Sequence, residues 1–211
     1  MSDDAPPKNL PDFLPDRRRA LIAATLSHIR PMLAQGATLS ALNQAKIELM
    51  RLCEHKELFT YDEFPLADDG SFDKTYRIHE DVDGGFALYV NAGLPGQSFR
   101  PHDHGGSWAI VAAVRGAERH RLYQRSDAGP ASASASLLTE VGQVDVQTGT
   151  AVSMLADGIH SIEALGDKPL LHLHLYGVSF SVPRQRSEFD LQHNTEQLVA
   201  IGDVDDSIDA R

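Results

Sequence analysis

The sequence predicts a mainly β protein, a closed sandwich or barrel, that is preceded by a cap of helices. Two observations support this prediction. Apolar residues recur at helical spacing before residue 53, whereas after Asp68-Asp69-Gly70 short apolar runs alternate with Gly, Pro and Asp. The close succession of these runs is typical of a closed β structure. The expected strands are 75–79, 86–91, 109–115, 119–123, 137–141, 143–147, 151–155, 161–165 and 170–176.

The chain is expected to form one structural domain, because 211 residues suffice for a single full core. Its parts are expected to be a flexible arm (1–15), a helical cap (16–70), the barrel (71–190) and an acidic tail (191–211). Within the cap, the apolar spacing predicts a helix from Asp16 that ends at Pro31 and further helix up to Cys53.

Composition restricts the possible partners and locations. The formal net charge of −11 disfavours nucleic acid and anionic membrane surfaces. Cys53 is the single cysteine, so no intrachain disulfide can form, and the first residues lack the pattern of a secretion signal. No apolar run approaches the roughly 18 to 20 residues that span a bilayer. We therefore expect a cytoplasmic protein, either a monomer or a small homo-oligomer.

The segment Pro101-His102-Asp103-His104 stands just before the apolar run 108–114. Residues two apart on a strand share a face, so His102 and His104 can present two imidazoles to one metal ion inside a barrel. A third histidine, His160, follows Asp157-Gly158-Ile159 further along the chain. Three neutral imidazoles around a divalent first-row ion leave coordination positions open, which indicates a catalytic rather than a structural metal.

This segment resembles the first motif of the cupins, which fold as a double-stranded β-helix, or jelly-roll barrel. Five residues separate Gly96 from His102-x-His104, and Gly116 takes the place of the closing glycine. The glutamate ligand of that motif would fall at Ala109, whose methyl group cannot bind a metal.

The second cupin motif is matched more loosely, by Gly149 and His160 at the right separation. The resemblance thus implies a cupin barrel behind an N-terminal helical cap. It also implies a metal held by His102, His104 and His160 with no carboxylate.

A cupin with three histidines and no glutamate resembles the thiol dioxygenases, the family of cysteine dioxygenase and 3-mercaptopropionate dioxygenase. The turn 114–118 and the segment Leu173-His174-Leu175-Tyr176 are similar as well, so the likeness covers about residues 72–190. It implies an oxidoreductase with Fe(II) as cofactor. Its substrates would be O2 and a small thiol carboxylate, such as cysteine, 3-mercaptopropionate or mercaptosuccinate, and its product a sulfinic acid.

The same resemblance implies an outer-sphere relay of His174 and Tyr176 beside the iron, with His172 where the family has a serine. Alternation along a strand puts His172, His174 and Tyr176 on one face. Ala109 also stands where mammalian-type enzymes carry a cysteine crosslinked to the relay tyrosine, so this chain cannot form that bond.

The family holds the substrate carboxylate with an arginine at one of two places. Arg77 resembles the arginine of the cysteine-type enzymes and is favoured here, although a surface ion pair with Glu80 or Asp81 would also explain it. Arg184 and Arg186 resemble the place used by mercaptopropionate enzymes.

Trp108 adjoins the first motif and is a further candidate for substrate contact, although large aromatics more often pack in cores. The remaining histidines without partner spacing are expected to be structural: His28, His55, His79, His120 and His193.

Two other functions remain open. One is a different metal-dependent cupin, a dioxygenase or an isomerase, although such enzymes usually keep the glutamate that Ala109 replaces. The other is a non-catalytic cupin that binds a metal or a small ligand, against which the relay-like pair His174-x-Tyr176 argues. Three neutral ligands would leave the full charge of Fe(II) available to favour a bound thiolate, which supports the thiol substrate.

Overall fold

The computed structural model describes residues 13–126 and 137–202. Two helices, α1 (Phe13–Leu33) and α2 (Leu39–Cys53), and a 3-10 turn at Lys56–Leu58 precede the strands. The strands are β1 (Asp73–Glu80), β2 (Ala87–Gly93), β3 (Ser98–His102), β4 (Ala109–Arg115), β5 (Ala117–Arg125), β6 (Leu138–Gln147), β7 (Ala151–Met154), β8 (Ile159–Ala164), β9 (Leu170–Tyr176), β10 (Gln185–Asp190) and β11 (Thr195–Ala200).

The strands form two antiparallel sheets. One has the order β1-β2-β9-β4-β7 and the other the order β11-β10-β3-β8-β5-β6. Four successive strands of each sheet, β2-β9-β4-β7 and β3-β8-β5-β6, have the order of an eight-stranded jelly roll built from two Greek keys. The predicted double-stranded β-helix with an N-terminal helical cap is therefore confirmed.

The sheet that contains β9 is buried on both faces. One face packs against the helices through residues of β2, β4 and β9: Leu88, Val90, Ile110, Ala112, Val114, Leu171, Leu173 and Leu175. The other face points into the barrel and includes Tyr89, Ala109, Val111, Ala113 and Tyr176. Burial of both faces explains why β4 is an unbroken apolar run.

The first helix begins earlier and ends later than the sequence suggested. α1 starts at Phe13, so the last residues of the expected arm are helical, while residues 1–12 lie outside the described residues. It also passes Pro31, which lacks the N–H for one helical hydrogen bond, because Ile29 and Leu33 are buried in the core. α2 is capped by Thr38, whose hydroxyl accepts a hydrogen bond from the Ala41 N–H at 3.2 Å.

Three strands were missed by the sequence analysis: β3, β10 and β11. β3 contains Pro101, and β10 and β11 are rich in polar residues, so none of them shows a clear apolar alternation. β11 lies inside the expected acidic tail (191–211), where it pairs with β10 over its whole length. The rest of that tail, 203–211, lies outside the described residues. Conversely, the two strands expected in 137–147 are one strand, β6.

Across residues 13–126 and 137–202, the helices all fall short of the length and apolar character needed to cross a bilayer.

Candidate active site

Three histidines from two segments of the barrel meet at one point. His102 ends β3 and pairs directly with His160 on the neighbouring β8, with ring centroids 4.6 Å apart. His104 follows in the loop after β3, where its Nε2 lies 3.1 Å from Nε2 of His160. One potential ligand atom from each ring lies within 4.8 Å of the others, and all three side chains are buried. The structure therefore brings together the three predicted metal ligands.

The loop that carries His104 is anchored to β10. The Asp103 carboxylate accepts hydrogen bonds from the N–H groups of Gly105 at 2.9 Å and Ser187 at 3.2 Å. Gly105 adopts a φ of 59°, and a Cβ at this position would lie 2.5 Å from the carbonyl oxygen of Gln185. Only glycine fits there without strain, so this close approach holds the loop that carries His104 against β10.

Burial keeps these imidazoles uncharged. It lowers the pKa of His102 to about 4. For His104 and His160, burial and then the neighbouring His102 lower the pKa well below the ordinary histidine value. Since a metal binds the neutral imidazole, all three rings are ready to act as ligands at neutral pH.

Hydrogen bonds on the far side of two rings determine which nitrogen faces the cluster. Nδ1 of His102 donates to the carbonyl oxygen of Arg100 at 2.8 Å, which leaves the Nε2 lone pair available. Nδ1 of His160 lies 2.8 Å from Nδ1 of His120, whose Nε2 donates to Oε1 of Glu118 at 2.8 Å. With its proton on Nε2, His120 accepts at Nδ1 from Nδ1 of His160, which leaves the Nε2 lone pair of His160 for a metal.

His120 was expected to be structural, and the structure places it between Glu118 and the predicted ligand His160. Glu118 and His120 are two apart on β5 and share its inward face, but the alternate residues are also polar, so the sequence pattern did not show which face is inside.

The cluster has the donor set and spacing of a divalent first-row ion. Bonds of about 2.1 Å at right angles put two donor atoms about 3.0 Å apart. The Nε2 atoms of His104 and His160, 3.1 Å apart, match this spacing. Ala109 lies on the inward face of β4 directly opposite Tyr176, so the position that carries a glutamate in many cupins offers no ligand here.

The inward face of β9 carries the predicted relay residues. The three leucines 171, 173 and 175 face the helices, which turns the alternate positions into the barrel. Nδ1 of His174 lies 3.2 Å from the Tyr176 hydroxyl, and the Tyr176 ring lies 5.5 Å from the His104 ring. Burial lowers the pKa of His174 to about 3 and raises the pKa of Tyr176, so the hydroxyl keeps its proton and can donate it.

His172 shares this face but contacts a different partner. Its Nδ1 lies 2.9 Å from Oε1 of Glu118, which projects from the facing sheet. Burial alone would raise the pKa of the Glu118 carboxyl, but His172 and His120 outweigh this effect and hold that pKa well below its usual range. Glu118 is thus a buried carboxylate that the sequence analysis did not identify as a site residue.

These groups border a cavity of about 780 Å³. Its walls include His102, His160, Glu118, His174, Tyr176 and Arg186. Arg186 is the one of the three candidate arginines on this wall, and its guanidinium donates to Glu188 at 2.6 Å. A small anion in the cavity would therefore find a cation beside the histidine cluster.

The structure does not place the other two arginines on the cavity wall. Arg184 donates to the backbone carbonyl groups of His104, Val178 and Ser179, so it holds the loops together instead. Arg77 forms an ion pair with Glu80 at 2.6 Å in a separate surface cleft.

Arg77 lies where β1 shifts register against β2, between residues 77 and 79. This irregularity accompanies the turn of its side chain away from the cavity.

Trp108 does not line the cavity either, since its ring packs edge-on against Phe86 with centroids 5.2 Å apart. Trp108 is half-buried, packs against the core beneath the helices and is not part of the cavity wall.

Solved structures with a similar fold include proteins of several kinds. An uncharacterized protein with a double-stranded β-helix domain from Klebsiella pneumoniae is 13% identical, with a TM-score of 0.42 over 57% of this chain and 84% of that chain. KdgF from Halomonas is 17% identical, with a TM-score of 0.41 over 56% and 93%. An oxalate oxidase bound to the substrate analogue glycolate is 15% identical, with a TM-score of 0.42 over 57% and 59%. No family model and no curated protein matches the sequence.

Proposed function

We propose that this protein is an iron(II)-dependent thiol dioxygenase that converts a small mercapto-carboxylic acid and O2 to the sulfinic acid. The observation that carries the proposal is the joint arrangement of a carboxylate-free cluster of three neutral histidines and a buried tyrosine. The pair His174–Tyr176 adjoins that cluster. Cysteine, 3-mercaptopropionate and mercaptosuccinate are the candidate substrates.

His102, His104 and His160 would hold the ferrous ion. When bound, Fe(II) supplies the unpaired electrons and the adjacent coordination positions that triplet O2 and a closed-shell thiolate need in order to react. The chain itself contributes three uncharged rings and no anion to this cluster. An anionic sulfur is therefore the ligand that best complements the site as the protein builds it.

Arg186 and Tyr176 would orient the substrate. The guanidinium of Arg186 can donate two hydrogen bonds to a carboxylate, which fixes the far end of the thiol in the cavity. The protonated Tyr176 hydroxyl, held by His174, can donate a hydrogen bond next to the three histidines.

The proposed reaction balances without a further reagent. The thiol R–SH and one O2 give R–SO2H, in which two S–O bonds form, the O–O bond breaks and the thiol proton is carried by the acid. Sulfur loses the four electrons that O2 gains. No external reductant is required.

An oxygen electrode with iron-loaded protein tests the proposal. We expect uptake of one O2 per thiol consumed, and mass spectrometry after reaction under ¹⁸O2 should find two labelled oxygen atoms in the product. The matched hydroxy acids, such as serine and 3-hydroxypropionate, should cause no uptake. If none of the candidate thiols drives oxygen consumption, the proposal is rejected.

The variant Tyr176→Phe separates an enzyme from a non-catalytic metal-binding cupin. Loss of a positioned proton donor typically slows a reaction about 100-fold or more, while the three ligands are untouched. We expect slow oxygenation with the iron content unchanged. A variant that retains both iron and full rate would show that the hydroxyl has no role in turnover.

A further inference from the structure

A second group of potential ligands lies where the two sheets of the barrel face each other. Glu118 projects from β5, and His172 and His174 project from β9. One potential ligand atom of each lies within 4.8 Å of the other two. From this juxtaposition we propose that Glu118, His172 and His174 form a second site for a divalent first-row cation, distinct from the cluster of three histidines.

Unpartnered nitrogen atoms point to a ligand at this position. Among the described residues, Nδ1 of His172 and Nε2 of His174 are buried and have no hydrogen-bond partner. The His172 side chain is only 1% exposed, so water does not reach it freely from outside. Buried polar atoms are nearly always satisfied in folded proteins, and a cation would satisfy these.

The contact between Glu118 and His172 also suits a shared cation. Oε1 and Nδ1 are 2.9 Å apart, yet this nitrogen is not aligned for a hydrogen bond. Two donor atoms bound side by side to one cation at about 2.1 Å would lie about 3.0 Å apart. Two imidazoles and one carboxylate are a common donor set for zinc, iron(II) and related ions.

The other contacts of these residues are compatible with a bound cation. His174 can bind the cation through Nε2 while Nδ1 remains beside the Tyr176 hydroxyl. Glu118 accepts a hydrogen bond from His120 with one lone pair of Oε1 and has further lone pairs to offer. Glu118 and His174 also line the cavity, so a cation can reach them from there.

A cation in this site would have two consequences. The second site contains the carboxylate of Glu118, whereas the cluster of three histidines contains no anion. A cation in the second site would therefore have part of its charge compensated by the protein. Binding through Nε2 also fixes the proton of His174 on Nδ1, where it donates to the Tyr176 oxygen. The hydroxyl proton of Tyr176 is then directed away from His174, toward the cavity.

Metal counting on purified full-length protein tests the second site. Protein is dialysed against Zn²⁺ or Co²⁺ and the bound metal is measured by mass spectrometry for the wild type, His104→Ala, His172→Ser and the double variant. We expect two equivalents for the wild type, one for each single variant and none for the double variant. His28→Ala, which changes an exposed histidine on α1, should still bind two.

Each outcome decides between a cation site and a plain ion pair. If His172→Ser binds as much metal as the wild type, Glu118 and His172 form only an ion pair and the proposal is overturned. If His104→Ala keeps one equivalent that the double variant loses, the second site exists whether or not the first cluster binds iron. The test therefore does not depend on dioxygenase activity.

A second variant covers the case in which His172→Ser does not fold, as judged by circular dichroism. Glu118→Gln keeps the shape of the side chain and removes its charge. It should weaken binding of the second Co²⁺ at least tenfold and change the visible absorption of the bound ion. Unchanged affinity and an unchanged spectrum in Glu118→Gln would overturn the proposal as well.

Discussion

The variant Arg186→Gln tests which arginine would bind the carboxylate of the proposed thiol substrate. Arg186 lines the cavity, whereas Arg77 pairs with Glu80 in a separate cleft. Removal of the guanidinium should therefore raise the KM for a thiol carboxylate and leave kcat nearly unchanged, because the lost contact is remote from the sulfur.

The size of the effect follows from the surroundings of Arg186. A hydrogen bond to a charged group contributes about 1.5 to 3 kcal/mol, and about 1.4 kcal/mol corresponds to a factor of ten. The Arg186 side chain is 29% exposed and already shares its charge with Glu188. Screening by water and by this carboxylate favours the lower half of that range, so we expect KM to rise about 10- to 30-fold.

The assay compares two thiols on the same iron-loaded protein. KM for 3-mercaptopropionate should rise in Arg186→Gln, while KM for 2-aminoethanethiol, which has no carboxylate, should not change. Arg77→Gln is the matched control and should leave both values unchanged. If KM for 3-mercaptopropionate rises in Arg77→Gln and stays unchanged in Arg186→Gln, Arg77 is the arginine that binds the carboxylate and the assignment to Arg186 is wrong.

Two further predictions concern stability. A Cβ at Gly177 would lie 2.2 Å from Nε1 of Trp108, so Gly177→Ala should lower the free energy of unfolding by about 1 to 3 kcal/mol and the melting temperature by about 3 to 10 °C. Gly142→Ala, on β6 with open space around the glycine, is the control, and an equal loss in both variants would contradict the steric explanation. Metal-free protein should lose stability as the pH falls from about 6.5 toward 4. The unfolded chain then binds protons at ordinary histidine pKa values, whereas the folded pKa values of His102 and His174 are about 4 and about 3. Each of these histidines lowers the free energy of unfolding by up to about 1.4 kcal/mol per pH unit in this range. Urea unfolding midpoints that are equal at pH 7.5 and 5.0 would show that the rings are not buried in neutral form.

Short-range alternation explains which parts of the site were accessible from the sequence. In β9, leucines alternate with His172, His174 and Tyr176, so one face had to be apolar and the other polar. The helical cap then covers the leucines, and the polar face is turned inward. Alternation does not explain the first pair, because β3 ends at His102 and His104 follows in the loop, although both rings reach the cluster.

Contacts between distant strands, and strands with polar residues on both faces, could not be predicted in this way. On β5, Glu118 and His120 alternate with Arg119 and Arg121, so both faces are polar and periodicity cannot tell which face is inside. That choice is made by the neighbouring strand β8, which places His160 beside His120. For Arg77 the sequence offered both a carboxylate contact and an ion pair with Glu80, and the choice between them depends on a register shift that only the folded sheet shows.

The helical cap also explains how the barrel tolerates so many buried polar groups. Unpartnered nitrogens on His172 and His174, and the carboxylate of Glu118, are costly inside a protein. The same strand β9 buries three leucines against α1 and α2, so each costly inward residue has an apolar neighbour that stabilises the strand from outside. One face of this sheet is thus apolar and packs against the helices, while the other carries the histidines. Substitutions on the leucine face should act on folding, and those on the histidine face on metal binding and chemistry.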